Sequence, residues 1–547
     1  MHSPRKSTVP QVPTTSSVPT HSPRVVYFIF FVLGCGTMFP WNAFITATEY
    51  IQAREFTGSF PVSLFGEVLV LLSFFCGLTP FFFNFSSSLQ SFPLPPSLFC
   101  NPPSVPGFSG TPRSNDYLSF FGVTFNASSF LALAYCVHRN QSTIIAPLIT
   151  YTLLFAGTAA LVLVDSVDHL FAITLLSLGI AGGTTAMLTA GVFGLAALFP
   201  TVNTQALMAG QGLAGMVTSV ASILTLLAVE QEEDGCGEPA DDGSDDAVSY
   251  ETDWAAFIYF TVSVFALLSC VGCYLALDRM PVTEYYRERG RRSDRAGSGE
   301  GEGSGEGSGG DGESCADEES SEAGSAPLLD NAAIGPSEGV GVGGVGVSAG
   351  TVVDSSIVAV SIGDVYAKVK APAVSVFVTF LVTLSLFPTI TGSINSVNGC
   401  DSGKGDGGRF HNDLFVPFSF LLFNGGDFAG RTLAAYVSTS EALATNKILL
   451  VTSLSRLVFF PLFLLCNVDS THLPVVFNSD FYPITFMLLF AATNGLNSTV
   501  CMMSGPSLVA PSEREMAGNI MVFALGGGLF AGSLGSFFCL KVGTGEW

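Results

Sequence analysis

The chain has 547 residues, 48% of them hydrophobic and only 12% charged, with a mean hydropathy of +0.51. A soluble domain carries about 25% charged residues, so this composition, which includes 48 phenylalanines, excludes a soluble globular protein and points to the bilayer. The net charge of −23 implies no nucleic-acid partner or acidic substrate, because it is concentrated in Glu230–Glu251 and Ser298–Gly350, which read as solvated loops.

Residues 1–24 are polar and rich in Ser, Thr and Pro. They read as a disordered cytosolic tail, since no apolar core leads into a small-residue cleavage site. Apolar stretches of about 20 residues, long enough to span the hydrocarbon core as helices, then recur along the chain. They run Val25–Thr48, Tyr117–Val137, Ile144–Val164, His169–Phe199, Thr204–Val229 and Trp254–Leu277 in the first half. In the second half they run Ala371–Ser393, Leu414–Val437, Ile448–Val468, Phe481–Ser504 and Met516–Val542.

Another apolar stretch, Val62–Phe83, is not counted with these, and charge is the reason. The segment after Leu277 carries Arg279, Arg287, Arg289, Arg291, Arg292 and Arg295 and closes with Lys368 and Lys370, so it belongs in the cytosol. Eleven spans then place Arg5, Lys6 and Arg24 in the cytosol too; a twelfth would expel them. From Ser73 to Phe99 the chain is nearly all Phe, Ser, Leu and Pro, whose usual codons are pyrimidine-rich. Two readings of Val62–Gly110 stand side by side: a translated pyrimidine tract from an unremoved intron, or a genuine extracellular insertion.

The expected fold is therefore all-α and membrane-embedded. A six-helix bundle, 25–278 (with the doubtful insertion at about 59–113), is followed by a disordered cytosolic loop, 279–370, and a five-helix bundle, 371–547. Two bundles with a site between them suit an alternating-access transporter.

Charged residues inside spans are expensive and usually functional. In "LLFNGGDFAGRTLAAY" (Leu421–Tyr436), Asn424, Asp427 and Arg431 fall at i, i+3 and i+7. At about 100° per residue they share one face of a helix. Asp427 and Arg431, at i and i+4, can pair. The pair either clips helices together or lines a hydrophilic cavity, where carboxylate and guanidinium suit a solute rich in hydroxyl groups.

Elsewhere the readings divide similarly. Trp41, between Pro40 and Asn42, is either a flat stacking face or an interfacial anchor. The glycines of the fourth and fifth spans, such as Gly194, Gly210, Gly212 and Gly215, read as packing residues, and form no phosphate loop. Thr185 and Thr189 lie one turn apart and can line a cavity. Gln211 reads as a satisfied helix contact, Asn494 and Asn497 as bonds between helices, and Arg456 as a residue snorkelling to the interface. The 12 cysteines show no CxxC and no metal spacing; most read as small core residues, though Cys236 and Cys400 fall in loops where a disulfide is conceivable. No catalytic, metal or cofactor site is expected.

Taken together, the stretches "PWNAFITATEY", "FGLAALFP", "GQGLAG", "LFPTITGSI", "FNGGDFAGR", "RLVFFPLFLLCNV" and "GPSLVAPSEREMAGNIM", in this order, resemble the equilibrative nucleoside transporters. The resemblance covers the chain except its N-terminal tail, Ser59–Arg113 and the cytosolic loop. It implies eleven helices in a major-facilitator-like arrangement, a cytosolic N-terminus, an extracellular C-terminus and a place in the plasma membrane. It also implies facilitated diffusion of purine and pyrimidine nucleosides, without enzyme activity. By position Trp41 contacts the base region, Asp427 and Arg431 bind or organise the ribose end with Asn424 nearby, and Phe387 lines the cavity. Thr189 stands where many members carry a glutamine associated with base recognition, which leaves base preference open. The runner-up is a nucleobase carrier or a proton-coupled purine carrier, with Asp427 the protonatable group. A non-transporting membrane sensor is the alternative from another class. An intramembrane aspartyl protease is set aside, because Asn424 occupies the first glycine of its GxGD motif.

Overall fold

The computed structural model describes residues 22–46, 114–139, 143–163, 170–228, 254–297, 361–399, 408–437, 446–469 and 472–544. Val62–Gly110, Cys236 and Cys400 lie outside the described residues. All regular structure among the described residues is helical. That is what a bilayer demands of an open chain, because a helix satisfies its backbone hydrogen bonds internally.

In the first half the helices are α1 (Pro23–Thr46), α2 (Ser114–Arg139), α3 (Ile145–Val162), α4 (Leu170–Leu198), α5 (Thr201–Ala228), α6 (Trp254–Asp278) and α7 (Pro281–Gly297). The second half contains α8 (Ile362–Leu386), the short α9 (Thr389–Gly392) and α10 (Gly408–His411), and α11 (Phe415–Val437). It continues with α12 (Asn446–Ser455), a 3-10 turn (Arg456–Val458), α13 (Phe459–Leu464), α14 (Phe481–Ser507) and α15 (Arg514–Thr544).

Among the described residues, eight of these stretches are long and apolar enough to cross a membrane: α3 to α6, α8 with α9, α12 with α13, α14 and α15. In α11 the polar face of Asn424, Asp427 and Arg431 dilutes the hydropathy of an otherwise Phe- and Leu-rich helix.

The segment read as a loop, 279–370, is helical at both ends: α7 occupies its start, and α8 begins at Ile362 and contains Lys368 and Lys370. The reason lies in α7 itself. It puts Val282, Tyr286 and Gly290 toward the bundle, while Arg289 is exposed and Arg287 pairs with Asp278 at 2.8 Å, an amphipathic pattern hidden by the high charge. The ninth predicted span is also not one helix. It breaks at Arg456, whose side chain leaves the helix for a neighbour.

The helices of residues up to Ser293 and from Val360 onward form one compact unit. Close crossings occur where glycine lets backbones touch. A Cβ on Gly34 or Gly210 would overlap main-chain oxygen across the α1–α5 crossing, and one on Gly430 or Gly495 would do so across α11–α14. A second apolar cluster centres on Phe490, whose ring meets Phe459 at 5.0 Å and Phe463 at 5.4 Å.

The unit has two distinguishable ends. At one end Gly290 of α7 lies near Leu198 and the Pro511 carbonyl, and Lys368 pairs with Glu513 at 2.7 Å. At the other, Asp480 accepts bonds from Ser396 (2.7 Å), Asn398 (2.9 Å) and the Val397 N–H (2.9 Å), and Arg409 donates to the Leu226 carbonyl at 2.7 Å.

Candidate functional site

Charges sit deep in the compact unit on α11. Asp427 and Arg431 are 5% and 6% exposed, and Arg431 Nε donates to Asp427 Oδ2 at 2.6 Å. The helical i, i+4 spacing brings them together. What holds them is a chain of bonds running outward in two directions.

On one side, Arg431 Nη1 donates to the Met208 carbonyl at 3.1 Å and to Gln211 Oε1 at 3.0 Å, both on α5. Gln211 Nε2 in turn donates to Thr37 Oγ1 of α1 at 3.1 Å. On the other side, Asn494 Nδ2 of α14 donates to Asp427 Oδ1 at 2.7 Å. Thr383 Oγ1 of α8 donates to Asn494 Oδ1 at 2.7 Å, and Arg456 Nη2 donates to Thr383 at 2.9 Å. Arg456 also donates to the Phe490 carbonyl at 2.8 Å and to Thr493, with its guanidinium 4.5 Å from the Phe490 ring centre. Within this connected set two guanidinium groups face one carboxylate.

The physical content of this arrangement is compensation. Each buried charge costs several kcal/mol to desolvate, and charge-assisted bonds return about 1.5–3 kcal/mol each. Asp427 has both oxygens engaged, one by each half of the chain's bond pattern. Arg431 thereby ties α11 to α5, while Asp427 ties it to α14 and α8.

The other predicted residues have definite places. Asn424 Nδ2 donates to Ser219 Oγ of α5 at 2.7 Å, and its Oδ1 faces Gly215. Phe387 stacks on Phe423 at 3.9 Å and meets Phe420 edge-on, so it packs against α11 within a turn of Asn424. Trp41 is half-buried, with its ring 4.3 Å from that of Phe125 on α2. Thr189 is buried and its hydroxyl has no hydrogen-bond partner among the described residues. Its neighbour one turn away, Thr185, instead bonds Tyr151 at 2.7 Å.

Three sequence readings meet the structure directly. Asn494 and Asn497 do join helices: Asn497 donates to Thr379 and Ser453, both at 2.7 Å. Gln211 is a satisfied contact, and its partner is the site arginine itself. Arg456, read as snorkelling, is the correction: it is 1% exposed and points inward. The rule that a charge within a span marks a polar pathway would have found it, because Arg456 lies well inside the predicted span Ile448–Val468.

Charged groups buried between helices long and apolar enough to cross a membrane define a membrane protein with a polar site in its interior. A protein-family model described as nucleoside transporter matches residues 173–540. The chain is 32% identical over 539 residues to equilibrative nucleoside transporter 1 of Mus musculus, covering 96% of this chain and 98% of that protein. It is 31% identical to the Homo sapiens transporter of the same name, with the same coverage, and 30% identical to Homo sapiens equilibrative nucleoside transporter 2, covering 95% and 97%. Among solved structures it aligns with a proton:xylose symporter of the major facilitator superfamily at 10% identity and a TM-score of 0.49, over 94% of this chain and 87% of that one. The chain belongs to the nucleoside transporter family, whose members named above are transporters and not enzymes.

Proposed function

We propose that the chain carries nucleosides across the plasma membrane by facilitated diffusion, with Asp427 and Arg431 at the centre of an alternating-access site. The observation that carries this reading is the buried Asp427–Arg431 pair, bonded on one side to α5 and on the other to α14. Eleven spans follow if α1, α2 and α11 complete the eight strongly apolar stretches. Six then precede the 279–370 segment and five follow it. The end bearing Arg279, Arg287, Arg289, Lys368 and Lys370 faces the cytosol, by the excess of basic residues there. The N-terminus is then cytosolic and the C-terminus extracellular.

In this reading the ribose hydroxyls meet the carboxylate and guanidinium of Asp427 and Arg431, with Asn424 beside them. The base lies toward Trp41, Thr189 and Phe387; the unpaired Thr189 hydroxyl is available to it. Because Arg431 bonds α5 from α11, separating the two bundles on that side requires Arg431 to exchange its bonds to Met208 and Gln211 for others.

The test is uptake of radiolabelled adenosine and uridine in cells lacking their own nucleoside carriers, with and without a proton gradient. Saturable uptake that follows the nucleoside gradient alone is expected. Uptake that needs the proton gradient would replace facilitated diffusion with proton coupling. No uptake, with the protein at the surface, would overturn the nucleoside reading.

A further inference from the structure

Where α4 crosses α15, small residues bring the helices together: Gly518 lies against the Phe193 carbonyl and the Ala197 side chain, and Gly194 against Asn519 Oδ1. Asn519 is 1% exposed, and among the described residues neither its Oδ1 nor its Nδ2 has a hydrogen-bond partner. Met516, Ala517, Ile520 and Met521 around it are all buried apolar residues. Packing alone would be served better by alanine, because a buried polar atom left unpaired is costly and most such atoms are paired. The amide therefore has both hydrogen-bonding atoms free of protein partners in this conformation and available to a ligand in another.

The position says which one. Gly194 is one turn from the end of α4, and Asn519 lies within the second turn of α15, at the end of the bundle that carries Lys368 and α7. On the transport reading proposed above, on which this inference rests, α4 and α15 belong to different bundles and meet at the cytosolic side. When the site opens inward this seam parts and the Asn519 amide lines the exit. It then presents one donor beside one acceptor, without charge. That is the complement of the donor–acceptor edge of a nucleobase: N–H next to C=O in uracil, or amino N–H next to ring nitrogen in adenine. We infer that Asn519 is a nucleobase contact of the cytosol-open state, separate from the ribose-binding pair.

The experiment compares zero-trans influx with zero-trans efflux of radiolabelled uridine and 3-methyluridine through the full chain, in carrier-deficient cells. The methyl group removes the N–H from the base edge. For Asn519→Ala, which leaves a smaller side chain beside Gly194, the efflux KM for uridine rises about fivefold or more, the loss expected for one to two hydrogen bonds. The influx KM stays within about twofold. The efflux KM for 3-methyluridine rises much less, because that permeant cannot make the full pair. Asn519→Ser, retaining a small donor–acceptor group, gives an intermediate efflux KM and serves in place of alanine if that variant fails to reach the surface. Unchanged efflux, an equal change in both directions, or an equal change for both permeants overturns the inference and leaves the amide a packing or gating residue. Absence of transport by the unaltered chain would instead overturn the nucleoside reading on which it depends.

Discussion

Replacing Asp427 by asparagine keeps the shape of the side chain and removes its charge. The structure sets the size of the effect. Arg431 loses the 2.6 Å bond to carboxylate, and Asn494, which donates to Oδ1 at 2.7 Å, now faces a group that is half donor. Two guanidinium groups then remain in the connected set with no carboxylate. Removing one partner of a buried ion pair costs about 3–5 kcal/mol. At 1.4 kcal/mol per decade this is a loss of about two to three and a half decades in whatever step needs the pair intact. The assay is initial-rate uridine uptake at matched surface expression. A second arm combines Asp427→Asn with Arg431→Gln. Because the two side chains touch, their effects should be strongly non-additive, with the double variant little worse than either single one. Additive losses, or Asp427→Asn carrying uridine at the unaltered rate, would refute the view that the two act as one unit.

Three further outcomes are expected. Gly495→Ala drives a methyl group into the Asp427 carbonyl across the α11–α14 crossing; it should cost about 1–3 kcal/mol, seen as a lower melting temperature of the detergent-purified protein, whereas Gly157→Ala, with open space around it, should not. Arg456→Lys keeps the charge but cannot reach Thr383, Thr493 and the Phe490 carbonyl together, so it should destabilise by about 1–3 kcal/mol in the same melting assay, and an unchanged melting point would refute the fan of bonds. Asp480→Ala frees the Ser396–Asn398 segment from its shared acceptor, and faster limited proteolysis near that segment is the expected readout.

The sequence carried the stripe on α11 plainly, because Asn424, Asp427 and Arg431 repeat at helical spacing within a single helix. It marked glycines such as Gly210 as packing residues, but not the helices they meet: the α1–α5 and α11–α14 crossings are seen only in the structure. It could not carry the partners. Arg431 and Gln211 are 220 positions apart, and Asn494 and Thr383 are 111 apart, so no local period links them. Arg456 was visible as a charge, but its direction depends on the break between α12 and α13, which hydropathy alone does not register. The helix α7 was missed for the opposite reason: five arginines from Arg287 to Arg295 made an amphipathic segment look like solvated chain.

The imbalance between two guanidinium groups and one carboxylate has an electrical consequence. Nucleosides are neutral, so their carriage alone moves no charge. A net positive group embedded in the core nevertheless stands in the transmembrane field. One elementary charge crossing that field exchanges about 2.3 kcal/mol per 100 mV with it. Asp427 and Arg431 cancel within α11, so the unbalanced charge is that of Arg456; if Arg456 shifts by even a tenth of the field during the cycle, the share is about 0.2 kcal/mol per 100 mV. A carrier built this way turns over at a rate that membrane potential can tilt, while the final distribution of its neutral permeant stays indifferent to voltage.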